Sequence, residues 1–172
     1  MRYLFGLILL TPLLLGSSTA AGAEVERLTV YQRQDIQVRH QRLVGNIRAQ
    51  ARREGVVVNV PQLYVYLSDH SAAYHLDGYR RGFERELNLI VQRSRSARSM
   101  VRLDRLLERV KTADDQSLEP ADLPAADVVI ALYRRAVCED CDRVEATLDQ
   151  WLADNPTLKV IWLDVRLDAP EN

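Results

Sequence analysis

The chain has 172 residues, of which 47% are hydrophobic and 27% charged, with a formal net charge of −1. That length supports one compact domain, or a small domain with an appendage. Two cysteines are too few for a disulfide framework, which excludes the stapled mini-protein class and leaves the hydrophobic core as the main source of stability.

The charge is unevenly spread. Glu24 to Lys111 holds 16 Arg and 1 Lys against 10 acids, whereas Thr112 to Asn172 holds 5 bases and 14 acids. The basic residues lie along helical faces among acids, which favours solvated faces or two packed halves over a nucleic-acid or membrane-binding patch. No internal repeat or low-complexity tract interrupts the chain.

Residues 1–23 read as a secretory signal peptide: Arg2 is the charged start, Leu4 to Leu15 the apolar run, and Ala21-Gly22-Ala23 the small residues for cleavage. At about 12 residues the run is too short for an ordinary membrane span, so no stable span is expected after cleavage. The expected location is periplasmic or otherwise exported, where disulfides form and persist. The mature region, 24–172, is expected to be a single domain with three parts: an Arg-rich helix, hairpin and helix half (24–111), a linker (112–127) and a second half (128–172).

From Val30 to Glu54, Val38, Leu43, Val44, Ile47 and Ala51 fall near helical spacing, and Gly55 stops the helix. "VVVNVPQLYVYL", Val56 to Leu67, predicts an extended approach through Pro61 and a strand over Gln62 to Leu67. "SDHS" is turn chemistry, and Ala72 to Leu76 returns as a hairpin strand. A helix from Asp77 or Gly78 has the apolar side Tyr79, Phe83, Leu87, Ile90 and Val91. "RSRSARS" weakens it before a second amphipathic stretch with Met100, Leu103, Leu106, Leu107 and Val110.

"TADDQSLEPADLPAAD", Thr112 to Asp127, reads as a surface connection. "VVIALY", Val128 to Tyr133, has the continuous apolar character of a strand buried on both faces. The cysteines open a helix whose inner face is Cys141, Val144, Leu148, Trp151 and Leu152, stopped by Asn155-Pro156. "KVIWLDV", Lys159 to Val165, completes a βαβ unit with parallel strands.

The motif "CEDC" carries the chemistry. A first cysteine at a helix start lies where free N–H groups stabilise a thiolate, and a second lies one turn inward, within bonding distance. Cys138 is then the attacking thiol and Cys141 the resolving one. Glu139, Asp140 and Asp142 oppose thiolate formation and Arg134 and Arg135 partly offset them, so only a modest lowering of the Cys138 pKa is expected. Zinc would need more ligands than His40, His70 and His75 readily supply, and no metal site is expected. Transfer of a soft metal by the two thiolates, and an inert disulfide closing one helical turn, stay open as alternatives.

"DVVIALYRRAVCEDCDRVEATLDQWLADNPTLKVIWLDV", Asp127 to Val165, resembles the strand, Cys-x-x-Cys helix and strand of the thioredoxin-like family. It departs from the family at Val137, where an aromatic usually stands, at Glu139-Asp140 in place of Gly-Pro, and at Leu132, where thioredoxin has a buried acid. The resemblance implies a helix, a strand preceded by a cis-proline, a hairpin strand and a final helix after the second strand. Those elements lie upstream here, which implies a circularly permuted α/β fold. Its central mixed sheet would have about four strands, in the order 159–165, 128–133, 62–67, 72–76, flanked by helices.

In that arrangement Pro61 is the cis-proline beside Cys138, and Val60 offers backbone groups to a peptide substrate. His70, His75 and the tyrosines Tyr64, Tyr66 and Tyr74 read as hairpin packing.

The implied function is exchange, reduction or isomerisation of disulfides in envelope client proteins by Cys138 and Cys141. It needs a redox partner, no cofactor and no nucleic acid. The alternative is a non-catalytic thioredoxin-like interaction or assembly module with a structural disulfide. The layout is also similar to small exported thioredoxin-like proteins of conjugative elements, which would place it in the assembly of a transfer apparatus.

Overall fold

In the computed structural model, residues 22–33, 60–93 and 101–168 are described. The apolar run Val128–Arg134 and the segment Lys159–Arg166 pair as parallel strands, from Val128 opposite Val160 to Arg134 opposite Arg166. The first is buried from Val128 to Tyr133 and the second from Val160 to Leu163 and at Val165, as expected of strands covered on two faces.

Around this pair the sheet grows outward in both directions. Naming elements in chain order, β1 is Glu24–Gln32, β2 Gln62–Leu67, β3 Ala72–Asp77, α1 Phe83–Arg93, α2 Leu103–Leu107, β4 Val110–Lys111, β5 Val128–Arg134, α3 Glu139–Ala153 and β6 Lys159–Arg166. The order across the sheet is β3-β2-β5-β6-β1-β4. β1 runs parallel to β6, while β2 is antiparallel to β5, β3 to β2 and β4 to β1. The chain is therefore α/β and, among the described residues, has a mixed six-stranded sheet flanked by helices.

The four strands expected from the sequence occur in the expected order, but the sheet has six strands rather than about four. β1 accounts for one addition. Val30 to Gln32, read from the sequence as a helix start, belong to this strand, held by parallel pairing from Glu24 opposite Lys159 to Tyr31 opposite Arg166. Residues 34–54 of the expected helix, with His40, lie outside the described residues, as do 1–21 of the expected leader. β4 is the other addition: Val110 and Lys111 pair with Gln32 and Tyr31, so the second amphipathic stretch is helical only through Leu107.

α1 likewise starts at Phe83 rather than at Asp77 or Gly78. Gly78 and Gly82 have φ of +78° and +88°, a left-handed backbone that glycine adopts readily and that a helix cannot continue through.

Side-chain alternation sends each strand's residues into two layers. On one face, Leu63, Val65, Ile130, Leu132, Val160 and Trp162 pack under α1 and α3. The α3 side chains Val144, Leu148, Trp151 and Leu152 recur at helical spacing and are at most 5% exposed; each contributes roughly 1.5–3 kcal/mol of burial. On the other face, Tyr64, Tyr66, Val129, Ala131, Tyr133, Ile161 and Leu163 lie under Leu103, Leu106 and Leu107 of α2. The connection 112–127 is more than surface chain, because Leu123 is buried in this layer and Leu118 and Ala126 pack against it. Among the described residues no helix is long and apolar enough to cross a membrane.

Candidate functional site

β5 ends at Arg134, the chain turns through Arg135 to Val137, and Cys138 takes an extended backbone (φ −159°, ψ 92°) as the N-cap of α3. Its sulfur accepts the Cys141 N–H at 3.2 Å, and its carbonyl oxygen accepts the N–H groups of Cys141 and Asp142 at 3.0 and 3.2 Å. The Cys141 N–H is a donor that a helix start leaves without a partner inside the helix, and the Asp142 N–H makes the first i→i−4 bond of α3. The two sulfurs are joined as a disulfide, with 5.2 Å between the Cα atoms. Cys141 is fully buried and Cys138 only partly so. Of the two residues, only Cys138 is open to an incoming group.

Pro61 stands at the entrance to β2, and its peptide bond with Val60 is cis. Gln62 is paired with Tyr133, so β2 begins at the end of the sheet where β5 releases the chain into the cysteine turn. Val60, Pro61, Cys138 and Cys141 thus share one end of the sheet. Pro61 is buried and Val60 half-buried. The Pro61 carbonyl accepts the Gly78 N–H at 2.9 Å, tying the loop after β3 to the same place. Val137, immediately before Cys138, is 95% exposed.

The acids around the motif are paired. Arg143 donates to Glu139 and, at 3.2 Å, to Asp140. Arg134 donates to Asp142 at 2.9 Å and to Glu145. Arg27, from β1, bridges Glu145 at 2.9 Å and Asp149, with its guanidinium 4.1 Å from the Trp162 ring centroid. The turn itself is fastened to the segment after β6, since Ala136 N–H donates to Asp168 and the Arg134 carbonyl accepts the Leu167 N–H at 3.0 Å.

Of these residues, sequence reasoning named Arg134 but missed Arg143, Arg27 and Asp168. Arg143 had a readable signal, a Glu four residues earlier on one helix face. Arg27 and Asp168 had none, because their partners lie over a hundred and about thirty residues away in the chain.

The two histidines of the hairpin lie in different places. His70, with φ +62°, lies in the turn at the far end of β2. His75 stacks on Tyr64 at 4.5 Å, and both side chains meet the Gln62 side-chain carbonyl, the Tyr64 hydroxyl donating at 2.9 Å and the His75 Nε2 at 3.3 Å from it. Tyr133 packs edge-on against Tyr64 at 5.9 Å, and burial, with Tyr64 adding to it, pushes its phenol well above the usual value. Among the described residues, no group of three or more His, Cys, Asp or Glu could hold a metal ion.

Comparison of the chain with protein-family models, with curated proteins and with solved structures gave no match.

Proposed function

We propose that this protein is an exported thiol–disulfide exchange protein with a permuted thioredoxin-like fold, acting on envelope client proteins through Cys138 and Cys141. The observation that carries the reading is the asymmetry of the pair: one disulfide, at a helix N-terminus, with the first cysteine partly buried and the second fully buried. The place of Pro61 at the same sheet end, and the sequence of β2, hairpin strand β3 and α1 upstream of the βαβ unit, support the fold reading.

In the oxidising direction a client thiolate attacks the Cys138 sulfur. The Cys138–Cys141 bond breaks, a client–Cys138 bond forms, and Cys141 leaves as a thiolate that takes a proton from solvent. A second client thiolate then attacks the client sulfur of the mixed disulfide, and Cys138 leaves as the second thiolate. The client loses two electrons and the pair gains them; a redox partner reoxidises the pair. Reduction of a client runs the same steps backwards.

A second reading is favoured by two departures from the family pattern. Leu132, fully buried on β5, stands where a buried acid would assist the resolving thiol, and Glu139-Asp140 lie between the cysteines. A non-catalytic interaction or assembly module of an envelope or conjugative transfer apparatus, keeping the disulfide as a staple, fits these departures.

Expression of the Cys141→Ala protein with its leader separates the two. The exchange reading expects client proteins captured on Cys138 as mixed disulfides, released by dithiothreitol. If no adducts form, and the wild-type disulfide withstands dithiothreitol in the folded protein, the assembly reading stands instead.

A further inference from the structure

We infer that Arg143 is a positioning residue for the Cys138 sulfur, holding the two acids of the motif in ion pairs and linking the motif turn to the loop beside Pro61. The inference rests on the exchange reading and adds a control element to it.

The first turn of α3 contains a conflict. A helix N-terminus favours anions, which suits a thiolate at Cys138 and also suits acidic side chains there. Glu139 and Asp140 occupy that turn and compete with the thiolate, because each negative charge close to the sulfur disfavours its ionisation. Arg143 is placed to relieve this. One turn along the helix, it reaches back with one guanidinium nitrogen to Glu139 and with the other to Asp140, at 3.2 Å. The same guanidinium carbon lies 6.0 Å from the Tyr79 ring centroid, at the outer limit of a cation–π contact. Tyr79 follows Gly78, whose N–H donates to the Pro61 carbonyl at 2.9 Å. One side chain therefore connects the residues between the cysteines with the loop that adjoins Pro61.

The exposure of these groups says what kind of effect to expect. The side chains of Arg143, Glu139 and Asp140 are 52%, 81% and 52% exposed. Ion pairs so open to water contribute little to stability and weaken with salt. Their consequence lies in the local charge at the sulfur, and a purely structural role for Arg143 would give the opposite pattern.

The test uses the reduced full-length mature protein and the rate of iodoacetamide alkylation at Cys138 as a function of pH, with the urea midpoint measured in parallel. Arg143→Gln is expected to move the rate–pH profile to higher pH, slowing alkylation roughly threefold at neutral pH and low salt. Arg143→Lys should recover most of the rate, Glu139→Gln with Asp140→Asn should recover it in the Arg143→Gln background, and molar salt should shrink the difference. The urea midpoint should stay in place throughout. An unchanged profile in Arg143→Gln, or a changed one that follows a fallen urea midpoint or resists both rescues, overturns the inference while leaving exchange at Cys138 standing. If Cys138 of the folded, reduced parent is not alkylated at all, the exchange reading itself fails, and this inference with it.

Discussion

Trp151 of α3 donates its indole N–H to the side-chain carbonyl oxygen of Asn88 on α1, at 2.7 Å. Asn155 completes the arrangement, donating to the Trp151 carbonyl at 2.8 Å and to the same Asn88 oxygen at 3.4 Å. Trp151 is only 2% exposed, so its N–H has no ready access to water. Asn88→Ala should lower stability by about 1–3 kcal/mol, the cost of leaving a buried donor without an acceptor. Asn88→Asp, which keeps an acceptor, should lose less. Urea denaturation of the two variants beside the parent measures this; equal midpoints for Asn88→Ala and the parent would show that the bond contributes nothing net.

Tyr66 and Tyr133 lie in the opposite layer, and both phenols are pushed far above their usual value near 10, chiefly by burial and then by neighbouring tyrosines. The folded state thus keeps these protons at a pH where the unfolded chain releases them. Stability from this source is fully present below pH 10 or so and is lost progressively as the pH rises beyond it. Denaturant midpoints measured from neutral to strongly alkaline pH should fall above that point, and Tyr133→Phe should make the fall shallower. A midpoint flat across the alkaline range would contradict the burial of these groups.

The Cys138–Cys141 bond closes a loop across a sequence separation of 3. Such a short loop restricts the unfolded chain little, so its removal should cost no more than about 2 kcal/mol. Replacing both cysteines by Ala should leave a folded protein with a modestly lower urea midpoint. A loss above about 4 kcal/mol would exceed what so short a loop supplies through the unfolded chain. It would count for a staple and against a pair that opens and closes in use.

Much of the sheet could be read from the residues alone. The continuous apolar run "VVIALY" marked β5 as a strand covered on both faces, "KVIWLDV" after the helix stop marked β6, and the hairpin of β2 and β3 is marked by "SDHS" between β-branched and aromatic segments. The helix start at the cysteines followed from the inner-face spacing of Cys141, Val144, Leu148 and Leu152. β1 was not legible because "EVERLTVYQ" carries charges on both faces near its start, and its strand state depends on β6, far along the chain. Val110 continues the helical spacing of Leu103, Leu106 and Leu107. It enters the same core, yet does so from a two-residue strand, a distinction that spacing cannot make.

Near the motif, residue types and spacing singled out the cysteine pair, which the structure joins as a disulfide, and the resemblance singled out Pro61, which lies at the same end of the sheet. The ion pairs that surround the motif depended on which strands came to lie beneath α3.

Both tryptophans of the chain, Trp151 on α3 and Trp162 on β6, fall in the core layer that α1 and α3 form with the sheet, at 2% and 1% exposure. Indole emission therefore reports on one side of the sheet alone. Loosening of α3 near the cysteine turn would register in its wavelength and quenching, whereas detachment of α2 on the far side would pass unseen. The protein carries a built-in optical gauge for the half of its core that adjoins the disulfide.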